Sequence, residues 1–234
     1  MSDATEITSS SMLTAVIERP PVFGATVAKF DAAAASKVPG VVEVVEIPQG
    51  IAVLAEGFWA ARNGRRALSV DWDDSSAEKR SSDELFEEHR KLLDKPGLSA
   101  RSDGDADEAL AGAAKVISAD YEFPYLAHAP MEPLDCAIRM TDGECDIWAG
   151  SQIQTIDQGV VAGTLGLEPG KVRVHTLLGG GSFGRRATPN GDVFGEAAAI
   201  VKATEGKHPV KLVWTREDAV SYTHLTLPTM LAQC

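Results

Sequence analysis

Short apolar runs separated by Pro and Gly turns open the chain. Residues 12–17 and 25–30 alternate as strands, with Pro20-Pro21 between them, where neither residue can donate to a ladder. Asp31 is placed to cap a short helix over 32–37, and Pro39-Gly40 turns the chain. Residues 41–47 and 51–55 flank Pro48-Gln49-Gly50 as a β-hairpin. Helical spacing over 58–68 and a strand at 69–72 complete a small α+β unit over 12–74.

The pattern then turns polar. Asp, Glu, Ser and Lys dominate 73–108, a solvated connector with one amphipathic helix that starts at SSDE and stops before Pro96. A short helix is expected over 105–114 and a strand over 115–123. Apolar alternation at 136–140 and 145–148 about Asp142-Gly143 predicts a second hairpin. A helix over 154–165 closes at Gly166. Buried strands follow at 172–178 and 209–214, with a glycine loop and a helix over 192–204 between them. Both strands read as apolar on two faces. Residues 1–11 read as a flexible polar lead without an export signal, so cytoplasm and periplasm both stay open.

Composition narrows the function classes. Of 234 residues, 44% are hydrophobic and 24% charged, the balance of an ordinary folded domain. The formal charge of −12 argues against nucleic acid as a partner, because phosphate contacts need a basic face. No apolar run approaches the ~20 residues of a membrane span. Cys136, Cys145 and Cys234 form neither a disulfide framework nor a CxxC pair, and read as small buried hydrophobes.

Three segments carry candidate chemistry. In Leu177–Arg186, LLGGGSFGRR, glycines follow a strand. Backbone N–H groups in such a loop form an anion nest, and Arg185 and Arg186 add two guanidinium forks. A bare turn with surface arginines is the alternative. Gly179, Gly181 and Gly184 also spell GxGxxG, although Arg185 to Gly191 separate them from the next helix, so a nucleotide-binding dehydrogenase is a weaker reading. In FPYLAHAPMEPLDC, prolines stiffen a loop holding His128 and Glu132. The carboxylate reads as a loop brace and His128 as a structural imidazole. In WAGSQIQ, Ser151 is a helix N-cap candidate, and Gln152 or Gln154 can face the space beyond the sheet edge. No catalytic triad is legible from spacing.

These strings occur in a family order. RPPVFGATVAKFD, VPGVVEVVEIP, LAHAPMEPLDC, WAGSQIQ, LLGGGSFGRR and VKLVWTRED together resemble the large molybdopterin-binding subunit of the xanthine dehydrogenase and aldehyde oxidase family, in its isoquinoline 1-oxidoreductase β-subunit branch. The resemblance implies an α+β fold, with a partial α/β hammerhead over 12–74, an acidic connector over 75–114, and the first part of a molybdopterin-binding domain over 115–220. It implies a molybdopterin cofactor with molybdenum, in the cytosine dinucleotide form, and a small partner subunit carrying iron–sulfur clusters. The reaction implied is hydroxylation of an aldehyde or N-heterocycle with water as oxygen source. By the match, Gln152 hydrogen-bonds the metal centre, and Gly180, Gly181, Ser182, Phe183, Gly184 and Arg185 form the loop over it.

Two departures accompany the resemblance. Ala187 stands where many relatives carry a substrate-orienting glutamate. The family's catalytic base, a glutamate in a GxGE-like segment, has no counterpart in these residues, so no catalytic residue is assigned. The likeness stops near Val220, and 221–234 reads as a foreign tail. The expectation is a piece of a longer subunit, inactive alone; a non-catalytic fragment is the alternative function.

Overall fold

A computed structural model describes residues 12–93 and 95–221. The lead over 1–11 and the tail from 222 onward lie outside the described residues. Packing divides the chain into two units, one of residues up to 77 and from 125, and one of 78–124.

The larger unit is built on a seven-stranded mixed sheet. Its strands are β1 (Leu13–Glu18), β3 (Val41–Ile47), β4 (Gly50–Ala55), β6 (Asp135–Thr141), β7 (Glu144–Ala149), β8 (Val172–Thr176) and β9 (Val210–Val213), in the order β3-β4-β1-β9-β6-β7-β8. A separate ribbon pairs β2 (Thr26–Asp31) with β5 (Ser69–Asp73). Both expected hairpins form. The β6–β7 turn places Asp142 at φ 51° and Gly143 at φ 77°, the left-handed pair that a two-residue hairpin demands.

Helices cover the two faces unequally. α4 (Gln154–Leu165) and α5 (Asp192–Ala203) pack on the face that presents Leu13, Ile17, Ile138, Ile147 and Leu212. α1 (Phe58–Arg66) seals the opposite face over Val16, Val53 and Ala55. Gly64 is needed there, because a Cβ would stand 2.8 Å from Val41 Cγ2 and 2.9 Å from Val53 Cγ1. α4 ends as expected at Gly166, φ 72°. Cys136 and Cys145 are buried free thiols, as expected of small apolar residues.

Four expectations are corrected. Residues 12–74 do not pack as a separate unit, because β1 pairs in parallel with β9 and joins the later strands in one sheet. The helix expected after Asp31 shrinks to a single 3-10 turn over Ala35–Lys37, with Asp31 Oδ1 accepting from Ala33 N–H at 2.7 Å inside a strand end. Residues 115–123 form no strand, and within their own unit Val116, Ile117, Tyr121 and Phe123 are left exposed, with no partner strand to receive their alternation. The strand expected over 172–178 stops at Thr176, at the sheet's edge, and Leu177 and Leu178 are exposed.

The smaller unit carries α2 (Ser82–Leu93) and α3 (Ala106–Ala111). Asp105 caps α3 by accepting Glu108 N–H at 2.9 Å, and Ser81 with Glu84 forms a capping box at α2. Neither helix buries a residue.

Candidate functional site

Strand direction places the candidate segments together. β7 and β8 are parallel, and β6 runs opposite to both β7 and β9. At one sheet edge, therefore, the proline loop enters β6, β7 leaves into WAGSQIQ, β8 leaves into the glycine loop, and β9 leaves at Trp214. Ligands of open α/β sheets gather at such carboxyl ends.

The proline loop and the glycine loop run past each other. Glu132 N–H donates to Gly180 O at 3.2 Å, and Gly180 N–H donates to Glu132 Oε2 at 2.8 Å. A Cβ on Gly180 would lie 2.7 Å from Glu132 Cβ, so only glycine allows this approach. Arg186 Nη2 donates to Glu132 Oε1 at 2.9 Å, and Arg186 Nε to Gly181 O at 3.3 Å. Glu132 is thus the brace that its proline-rich surroundings suggest. Burial of Asp135 raises its pKa, and the neighbouring Glu132 charge raises it further.

Gln152 and Ser182 meet. The Ser182 hydroxyl donates to Gln152 Oε1, and Gln152 N–H donates to Arg186 O at 3.1 Å. Gln154 instead turns back, its Nε2 donating to Ser151 O at 3.3 Å. Ser151 does not cap α4. Its hydroxyl bonds Asp157 Oδ2 at 2.5 Å, and burial raises the Asp157 pKa while this bond lowers it.

The glycine loop keeps its own amides unspent. Arg185, Arg186 and Ala187 N–H groups are bonded within the turn. Those of Gly181, Ser182, Phe183 and Gly184 have no partner among the described residues. Gly181 and Gly184 sit at φ 104° and 93°, and Phe183 adopts φ 55° with its ring exposed. Four successive N–H groups without a protein partner among the described residues are the kind of donor set from which an anion nest is built.

The expectation of two anion-facing guanidiniums is corrected. Arg185 is buried, its Nη2 on Asp192 Oδ2 at 2.6 Å and its guanidinium 5.1 Å from the Trp214 ring centre. Arg186 is committed to Glu132. Internal carboxylates outcompete a surface role, since a buried fork without a counter-charge is costly. The sequence also concealed a network beneath the loop. Arg19 bonds both oxygens of buried Glu196 and stacks 4.1 Å from Trp214, whose Nε1 donates to Glu196 Oε2 at 2.8 Å. Only the buried acid in α5 and the Arg following β1 hinted at it. GxGxxG fails as a dinucleotide turn, because α5 opens at Asp192, well past Gly184.

An open mixed sheet with an amide-lined loop at its strand ends is the architecture of a ligand-binding α/β domain. Among known proteins, the family described as molybdopterin cofactor-binding domain matches residues 89–231. The isoquinoline 1-oxidoreductase β subunit of Brevundimonas diminuta is 35% identical over 218 residues, covering 88% of this chain and 27% of that protein. The membrane-bound aldehyde dehydrogenase [pyrroloquinoline-quinone] of Gluconacetobacter polyoxogenes is 31% identical, covering 90% and 28%. Quinoline 2-oxidoreductase from Pseudomonas putida 86 shares the fold, with a TM-score of 0.67 at 18% identity over 91% of this chain and 32% of that one. The chain belongs to the molybdopterin cofactor-binding domain family. It spans under a third of the length of these relatives. Among the described residues no helix is long and apolar enough to cross a membrane.

Proposed function

We propose that Gln152 and the loop Gly180–Arg185 form one wall of the molybdenum pterin site in a large hydroxylase subunit. The observation that carries this reading is the run of four unpaired amides at 181–184 beside a glutamine whose carbonyl is held by Ser182. The donor set fits the group: it offers neutral N–H donors to an oxygen-rich anion, and Gln152 keeps its amide NH₂ without a partner among the described residues. When bound, the pterin–molybdenum group supplies two-electron redox chemistry; this chain's residues bind and orient it. The amides of 181–184 hold anionic oxygen, Ser182 fixes the rotamer of Gln152, and Glu132 with Arg186 fixes the loop. Arg185, buried on Asp192, acts from beneath as a positive charge and spacer.

The substrate class follows the relatives' names, which include both N-heterocycles and an aldehyde, with hydroxylation drawing its oxygen from water. A separate iron–sulfur subunit as electron acceptor belongs to this reading. The cytosine dinucleotide form of the cofactor and the inactivity of this chain alone belong to the same proposal. The test is made in the complete subunit. Gly181→Val should lose most of its molybdenum while circular dichroism stays native, because φ 104° suits no branched side chain. Gln152→Ala should keep its metal and lose at least tenfold in turnover. Full metal content in the first variant, or full turnover in the second, overturns the reading.

A further inference from the structure

The segment 126–134 lines the glycine loop in the reverse direction. Glu132 lies against Gly180, Pro130 and Met131 against Gly181, and His128 against Gly184. Glu132 is already spent on internal bonds. His128 is not: neither ring nitrogen has a hydrogen-bond partner among the described residues, and Nδ1 is buried. Nε2 lies 3.9 Å from where a Gly184 Cβ would stand, at the mouth of the loop.

The backbone around this ring is held in costly conformations. Ala129, next in sequence, sits at φ 43°, and Phe183 in the glycine loop at φ 55°. Residues with a Cβ adopt such angles where the surroundings impose them, and they cluster at binding sites. Arg216 supplies the constraint, donating to the carbonyls of Ala129 at 3.3 Å and Pro130 at 2.5 Å. The fold therefore fixes an imidazole with no internal partner beside four amides with none.

We propose that His128 is a direct contact for the oxyanion seated in the glycine loop, with Nε2–H donating to an oxygen that the amides of 181–184 hold from the other side. This rests on the reading of the loop as a cofactor wall and adds a side-chain ligand to it. The proposed contact requires the single proton on Nε2, toward the loop, with the buried Nδ1 as the bare nitrogen. Burial first, and the Arg185 charge second, hold the free ring neutral. Of the charged side chains around it, Arg185 is the one acting on the ring, while Glu132 and Arg186 neutralise each other farther along the loop. The ligand class is a tetrahedral oxyanion, whether metal oxyanion or phosphate group.

The experiment titrates the ¹⁵N-labelled full chain with sodium molybdate and, separately, inorganic phosphate. Nuclear magnetic resonance follows the amides of 181–184 and the five histidine rings. The expected result is a shift of the loop amides and of the His128 ring with one midpoint, the other described histidines staying silent. His128→Ala should weaken binding about tenfold or more, the scale of a charge-assisted hydrogen bond. His128→Gln, which keeps an N–H donor, should recover part of it, and decides the matter together with the wild-type ring shift if the alanine variant unfolds. A response to molybdate alone identifies the metal-side oxygens, and a response to phosphate alone the phosphate group. Loop amides that shift while the His128 ring does not, with unchanged affinity in His128→Gln and His128→Ala, overturn the role of His128 and leave the cofactor wall standing. Silent loop amides with both anions overturn the wall and this contact with it.

Discussion

Removing the Glu132 carboxylate tests how the loop is held. It accepts Gly180 N–H at 2.8 Å and Arg186 Nη2 at 2.9 Å. The two partners differ in exposure: the Arg186 side chain is 4% exposed and that of Glu132 39%. Glu132→Ala leaves a nearly buried guanidinium with Gly181 O as its remaining acceptor among the described residues. Hydrogen bonds to charged groups are worth about 1.5–3 kcal/mol each. Water reaches the half-exposed carboxylate and replaces part of that, so the combined loss is about 2–3 kcal/mol. For a domain of this size Tm then falls by roughly 4–12 °C. Glu132→Gln, which keeps an acceptor without the charge, should lose about half as much. Guanidinium chloride melts give the stability, and amide exchange at Gly180 shows where it is lost. A double-mutant cycle with Arg186→Ala should return a coupling of about 1 kcal/mol or more. An alanine variant within about 0.5 kcal/mol of wild type, with Gly180 exchange unchanged, refutes the brace.

Two further outcomes follow from packing and charge. Gly64→Ala drives a Cβ into Val41 and Val53 and should cost about 1–3 kcal/mol in a denaturant melt; a neutral result refutes the close approach of α1 to the sheet. Asp146 accepts from Arg173 Nε at 2.8 Å and His175 Nε2 at 2.8 Å, and these bonds, that of Arg173 first, hold its carboxyl far below the usual carboxylate range. A depressed folded pKa means the contribution is complete above the unfolded value of about 4 and drains as pH falls below it. The stability gap between wild type and Asp146→Asn should therefore narrow from pH 5 to pH 2, and a constant gap refutes the assignment.

Local signals carried much of this fold into view. Asp142-Gly143 specified a hairpin because only left-handed residues close a two-residue turn, and Gly166 stopped α4 for the same reason. What stayed hidden was long-range. The parallel pairing of Leu13 with Val210 joins strands from opposite ends of the chain, and no local pattern encodes it. Alternation at 115–123 misled because it reports a capacity for burial, and within their own unit those side chains have no partner strand to receive it. In the site, the glycine loop was legible from composition and Glu132 from its prolines. The contact of Gln152 with Ser182 was not legible, because Ser182 approaches from another strand's end. The arginine forks misled because their carboxylate partners, Glu132 and Asp192, are chosen by the fold.

The proposed oxyanion contact places an anion against an acidic chain. With a formal charge of −12, long-range attraction works against an anionic ligand. Exposed arginines would offset this, yet Arg185 and Arg186 are buried on carboxylates within the loop's own foundation. What remains at the surface is neutral: four amides, the Gln152 carboxamide and the His128 ring. Neutral donors attract little at a distance and act only at hydrogen-bond range. Their strength comes from being fixed in advance, so that little reorganisation opposes binding. The two arginines contribute by making that fixity possible, since each locks a loop end to Glu132 or Asp192. Selectivity on this wall then depends on geometry more than on charge, and salt should weaken oxyanion binding far less than it would weaken binding to an exposed arginine pair.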